Sequence, residues 1–183
     1  THSVQHPPLY FALMALPYRL GGSELAPFSL PSGPDRLATM TTGERRSRYL
    51  CRYLQVVLTA LTLLVIGAVL AQVLPRRPRV RTAVLVGVAC WPLMAWGGAV
   101  VNNDMLATLW SAVLVWQGLR CVRTGQGTLA HIAAWLGLLM GLGLWVKLTV
   151  IYCAPALVAL MWWHQPHWRD RMRFLLIFAL VAV

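Results

Sequence analysis

Residues 137–163 read GLLMGLGLWVKLTVIYCAPALVALMWW, an apolar run broken by one charge, Lys147. Lys147 is the only lysine of the chain, against fifteen arginines. A charge at membrane depth is costly, so one retained there is a candidate functional residue. Upstream, residues 89–116 read ACWPLMAWGGAVVNNDMLATLWSAVLVW, and Asn102, Asn103 and Asp104 interrupt that run. Passing the chain back and forth across a bilayer puts both interruptions on one membrane face. The layout predicts a site built at that face.

Composition sets the class. Hydrophobic residues make up 58% of the chain and charged residues 11%, far from the usual globular balance. Apolar runs occupy 53–74, 82–101, 105–119, 129–146 and 148–163, and a sixth begins near Met172. A hydrocarbon core of about 30 Å takes roughly 20 helical residues, fewer when polar ends reach the interface. The runs are continuous rather than alternating, and lipid demands an internally bonded backbone, so they read as helices. The expectation is an all-α, polytopic transmembrane helical bundle. Residues 1–52 form an external loop with an interfacial helix. Residues 53–183 form the transmembrane region, with five full spans and a truncated sixth.

Orientation follows from the arginines. PRRPRVR carries Arg76, Arg77, Arg79 and Arg81; LRCVRTGQGT carries Arg120 and Arg123; HQPHWRDRMR carries Arg169, Arg171 and Arg173. These nine charges mark the cytoplasmic side. The opposite connectors are NND, with no basic residue, and VKLT, with one. The segment GERRSRYLCRY, with Arg45, Arg46, Arg48 and Arg52, then lies outside; long external segments escape the charge rule more easily than short ones. The net charge of +11 reflects these loops, and no soluble basic domain exists to bind nucleic acid.

HPPLYFALMALPYRL is apolar but short, with Pro17 inside it, and fits an interfacial or re-entrant helix better than a span. GGSELAPFSLPSGPDRLATMTTGE reads as an external loop. Ala133, Gly137 and Gly141 recur every four residues, a small-residue stripe for close helix packing. Asp104, Thr108 and Ser111 share one helix face, which is expected to point inward. Cys51, Cys90, Cys121 and Cys153 show no metal spacing and no pairing pattern. His164 and His167 read as part of an interfacial belt with the neighbouring tryptophans.

At HPPLY, NND and VKLT the chain resembles the GT-C superfamily of integral-membrane glycosyltransferases, in the branch of protein mannosyltransferases and lipid A aminoarabinose transferases. His6-Pro7-Pro8-Leu9-Tyr10 is similar to the family's Pro-Pro motif, and Arg45–Arg52 to its Arg-rich start of the next helix. Asn103-Asp104 is similar to its acidic turn, and GLLMGLGLWVKLT to its glycine-rich helix ending in Lys. The resemblance covers essentially the whole chain. It implies a GT-C-like fold in a bacterial plasma membrane, with the site on the non-cytoplasmic side. The implied donor is a sugar on a polyprenyl phosphate. The family's acidic catalytic motif is expected before His6, and loop 21–44 is longer than in the aminoarabinose-transferase pattern.

A cation at the membrane surface stabilises the departing phosphate of such a donor, most strongly where water is excluded. Lys147 is the candidate, assisted by Arg45, Arg46 or Arg48. The acceptor's proton needs a carboxylate. The upstream acid is the first candidate and Asp104 the second; Asp104 is also a candidate to hold a divalent metal or to orient Lys147. His6, Tyr10, Asn102 and Asn103 complete the candidate substrate site. Plainer readings stand beside these. Lys147 snorkels to headgroups, Asn103 and Asp104 cap a helix, His6 begins an interfacial helix, and the arginines touch lipid phosphates. Two other function classes also remain: a transporter or flippase-like protein, and a non-catalytic membrane assembly subunit.

Overall fold

The computed structural model describes residues 8–22, 41–92, 94, 103–124, 128–165 and 167–182. Among the described residues every regular element is a helix. Helix α1 spans Pro8–Gly21, α2 Thr42–Val73, α3 Pro78–Ala89, α4 Asp104–Thr124 and α5 Leu129–Val146. A 3₁₀ segment, Leu148–Cys153, leads into α6, Ala154–His164, and α7 spans Trp168–Ala182. Three of these, α2, α4 and α5, are long and apolar enough to cross a membrane. The apolar stretch Leu148–His164 is shorter.

The ends of α2 explain its length. Thr41 and Glu44 form a capping box: the Glu44 N–H donates to Thr41 Oγ1 at 3.2 Å and the Thr41 N–H to Glu44 Oε2 at 2.9 Å. From there the helix runs 32 residues, about 48 Å, before Pro75 follows its end. It passes residue 52 without a break, so the arginine segment and the first apolar run are one rod. That rod is longer than the roughly 30 Å of a hydrocarbon core.

The chain reverses direction at each connection from α4 onward. Gly143 on α5 lies against Trp110 on α4, and Gly118 on α4 against Leu157 and Leu160 on α6. Gly137 and Gly141 on α5 meet Phe178, Val181 and Ala182 on α7. Thus α5 is antiparallel to α4, α6 runs back beside α4, and α7 runs alongside α5. The turns carrying Arg120 and Arg123 and Arg169–Arg173 therefore lie at one end, and Asp104 and Lys147 at the other.

The small-residue stripe does what its spacing predicts. Ala133 is fully buried, and a Cβ on Gly137 would sit 2.8 Å from the Phe178 carbonyl oxygen. On Gly141 it would sit 3.1 Å from the Ala182 carbonyl oxygen. Two helices in lipid gain little from hydrophobic contact alone, so this backbone approach is what holds them together. Leu136, Met140, Phe174 and Phe178 fill the space beside it.

The break at Lys147 has a sequence cause as well. Pro155 occupies the first turn of α6, and as a proline it has no N–H for the carbonyl of Ile151. The β-branched run Thr149, Val150, Ile151 further disfavours an α-helical turn. Residues 148–153 take up the tighter 3₁₀ winding instead.

Candidate functional site

Lys147 stands where α5 stops. Its backbone is extended (φ −166°, ψ 136°), its N–H bonds the Gly143 carbonyl at 3.0 Å, and its carbonyl accepts from Val150 at 3.1 Å. Its side chain turns back to α4, where Nζ donates to Oδ1 of Asp104. The two side chains retain 27% and 48% of their exposure, so the pair is open on one side. Asp104 begins α4, and a carboxylate there also complements the positive end of the helix. The side chains at the two interruptions meet.

Asn103, immediately before, is buried, and its carbonyl accepts from Ala107 at 3.1 Å, which places it at the helix cap. The predicted inward stripe below it is not observed. Thr108 is exposed and donates to the Asp104 carbonyl of its own helix at 2.7 Å, and Ser111 is only half-buried. The buried side of α4 is instead Met105, Leu106, Ala107 and Leu114. An i−4 bond within the helix satisfies a threonine hydroxyl without an inward partner.

Helix α1 brings Tyr10 to the same end. Tyr10 is buried, interacts with the Gln55 side chain of α2, and feels the charge of Asp104. Burial above all, and then Cys51, pushes its phenol well above the ordinary tyrosine range, so it remains a neutral hydrogen-bonding group. The far end of α1 is pinned by glycines. A Cβ on Gly21 would sit 2.6 Å from Ser47 Cα, and one on Gly43 would sit 2.9 Å from the Gly22 carbonyl oxygen. Gly22 itself has φ +76°, a conformation L side chains rarely adopt. Ser47 Oγ donates towards the Tyr18 carbonyl at 3.2 Å and the Gly43 carbonyl at 2.9 Å.

The face of α2 that receives α1 and α4 is a buried stripe of Ser47, Cys51, Gln55, Leu58 and Thr62. Ser47, Cys51 and Gln55 fall at i, i+4 and i+8, a spacing legible in the sequence beside the more conspicuous arginines. Arg45 and Arg46 lie on other faces of the same helix, where they line a shallow groove with Thr42, Tyr49, Leu50 and Tyr53. At 100° per residue, Arg45 points nearly opposite to Ser47. Arg48 is closer to the α1 contact, where its charge reaches Tyr18. The ion pair and the Arg45–Arg46 groove are thus two separate features at one end of the bundle. His6 and Asn102 lie outside the described residues.

One further residue escaped sequence reading. Trp110 on α4 donates its indole N–H to the Leu139 carbonyl at 2.7 Å and fills the space over Gly143. It locks α4 to α5 just below the ion pair. Among the described residues no group of three or more His, Cys, Asp or Glu side chains gathers as metal ligands would. The described residues define a helical protein of membrane type, with an ion pair between α4 and α5 beside the docked helix α1. No protein-family model, curated protein or solved structure matches this chain.

Proposed function

We propose that the chain is the helical region of a GT-C-type membrane glycosyltransferase. It moves a sugar from a polyprenyl-phosphate donor to an acceptor on the non-cytoplasmic side of a bacterial plasma membrane. In this reading α2, residues 82–101, α4, α5 and residues 148–163 cross the bilayer, α7 enters a sixth crossing, and α1 lies on the outer surface. The observation that carries the reading is the Lys147–Asp104 pair. It sits beside Tyr10 of the HPPLY motif and at the end of α2 that bears Arg45–Arg52. Tyr10, Asp104 and Lys147 thus lie at the end of the bundle where the Arg45–Arg52 segment enters, which supports the reading.

The roles follow from the geometry. The acceptor oxygen or nitrogen attacks the anomeric carbon, the bond from that carbon to the phosphate oxygen breaks, and its electron pair stays on the phosphate. Lys147, partly exposed and held in place, offers an ammonium to that growing charge. Asp104 has Oδ1 committed to the ammonium, so it acts as a positioning residue rather than the base. The acceptor's proton then goes to the acidic motif that the family carries ahead of the Pro-Pro segment. Tyr10, neutral and buried, holds α1 over the pair. Arg45 and Arg46, with Tyr49 and Tyr53, bind lipid phosphate at the rim. A divalent metal has no evident ligand set among the described residues.

The test is sugar transfer from radiolabelled polyprenyl-phosphate donors in membranes containing the full-length protein. Loss of one charge-stabilising donor lowers turnover about 100- to 1000-fold, which is the expectation for Lys147→Ala. Lys147→Arg should recover only part of it, because a planar fork replaces a point charge. Wild-type turnover in Lys147→Ala at normal expression overturns the reading.

A further inference from the structure

At the opposite end from the ion pair, a pocket of about 290 Å³ opens between the end of α4 and the start of α5. Gln117, Arg120, Thr124 and His131 supply its polar lining, and Ile132 and Trp135 its apolar wall. No acidic side chain lines it. Arg120 is exposed, with its guanidinium 5.7 Å from the centre of the Trp116 ring, which restrains the cation at the pocket mouth. The first turn of α5 also presents the positive end of its dipole there, with Thr128 capping the His131 N–H at 3.3 Å.

The pocket continues into an apolar track. Trp135, Leu138, Leu142 and Trp145 are 42%, 46%, 43% and 63% exposed. They fall at i, i+3, i+7 and i+10, one stripe along α5. From the pocket at His131 to Leu142 is about 17 Å of helix, close to half the roughly 30 Å hydrocarbon core, or one leaflet. A cationic, hydrogen-bonding pocket at the head of a one-leaflet apolar stripe has the form of a single amphiphile.

We propose that this pocket binds the phosphate headgroup of an anionic phospholipid from the arginine-rich leaflet, with one acyl chain lying along Trp135, Leu138 and Leu142. Arg120 and His131 bind the phosphate oxygens, Thr124 and Gln117 the neighbouring polar groups, and Trp135 flanks the glycerol region. A basic pocket between helices in a leaflet of anionic lipid is the usual physical basis of such selection. The pocket lies at the opposite end of α5 from Lys147 and does not depend on the glycosyltransferase reading.

Native mass spectrometry of the full-length protein in neutral detergent tests it, with phosphatidylglycerol or phosphatidylcholine added. One phosphatidylglycerol should be retained in preference to phosphatidylcholine. Arg120→Gln should lower that retention about fivefold, the effect of one Lys or Arg near an anionic surface, and His131→Gln should lower it through loss of a ring N–H donor. Arg169→Gln, at the same end but outside the pocket lining, should leave it unchanged. Trp135→Ala should weaken both lipids alike. Unaltered melting temperatures separate lost binding from lost folding; should Arg120→Gln not fold, His131→Gln decides. Equal retention in both pocket variants, an equal loss in Arg169→Gln, or equal uptake of the two lipids overturns the proposal. Displacement of the lipid by millimolar inorganic phosphate also overturns it, because the site would then take a free anion.

Discussion

Lys147 donates to the carboxylate of Asp104 across 43 residues of sequence, joining the end of α5 to the beginning of α4. The contact closes an antiparallel pair of helices at the end where α1 docks. It also turns two isolated polar interruptions into one site. A lysine that merely snorkels needs no fixed partner, whereas this ammonium has a carboxylate from another helix.

The charge-swapped protein, Asp104→Lys with Lys147→Asp, should keep much of the stability that each single charge reversal loses. It should still fail in sugar transfer, because the cation then sits on α4. A double-mutant cycle with Asp104→Asn and Lys147→Ala should give a coupling above about 0.5 kcal/mol in unfolding measurements. Additive effects would mean that the pair contributes nothing as a unit.

Gly137→Val should destabilise the α5–α7 contact by about 1–3 kcal/mol, since the added atoms press on the Phe178 backbone. Gly87→Ala on α3 provides the contrast. A Cβ there meets nothing within 4 Å, so the change should be neutral or stabilising through helix propensity. Detergent unfolding of the two variants measures the difference, and equal effects would refute the close approach.

Trp110→Phe should remove the bond to the Leu139 carbonyl while keeping an aromatic ring over Gly143. The expected loss is about 0.5–1.5 kcal/mol. Trp110→Ala should lose more, because a cavity opens beside Gly143 and Val150. Thermal unfolding followed by tryptophan-independent circular dichroism reads both.

Gly21→Val should lift α1 from α2, since its side chain overlaps Ser47. Amide exchange should rise in residues 8–22 and stay unchanged in α4 and α5. Uniform acceleration throughout would show that α1 is part of the global fold and not a separately docked cover.

Orientation is open to cysteine labelling in a background without the native cysteines. An impermeant reagent should reach Thr149→Cys from outside, and Arg77→Cys only after permeabilisation. Both positions are exposed, so accessibility reports the side of the membrane alone. The reverse pattern would put the ion pair in the cytoplasm and remove the basis for an external donor.

Helix class and the common end of Asp104 and Lys147 were determined by the sequence. Continuous apolar runs in lipid have few backbone solutions, and alternating spans with arginine-rich turns leave few ways to thread them. Close packing along Ala133, Gly137 and Gly141 was equally legible, because small residues at a four-residue period have one dominant use in such helices. Only the tertiary structure decided which side chains meet. It paired Lys147 with Asp104, brought Tyr10 against Gln55, and turned Arg45 and Arg46 away towards a groove of their own. It also left Thr108 exposed despite its place on the Asp104 face. A period states which residues share a face of a helix. Which face is covered depends on partners far away in sequence, here α1, which sets Gly21 against Ser47 of α2, and α7, which packs on Gly137.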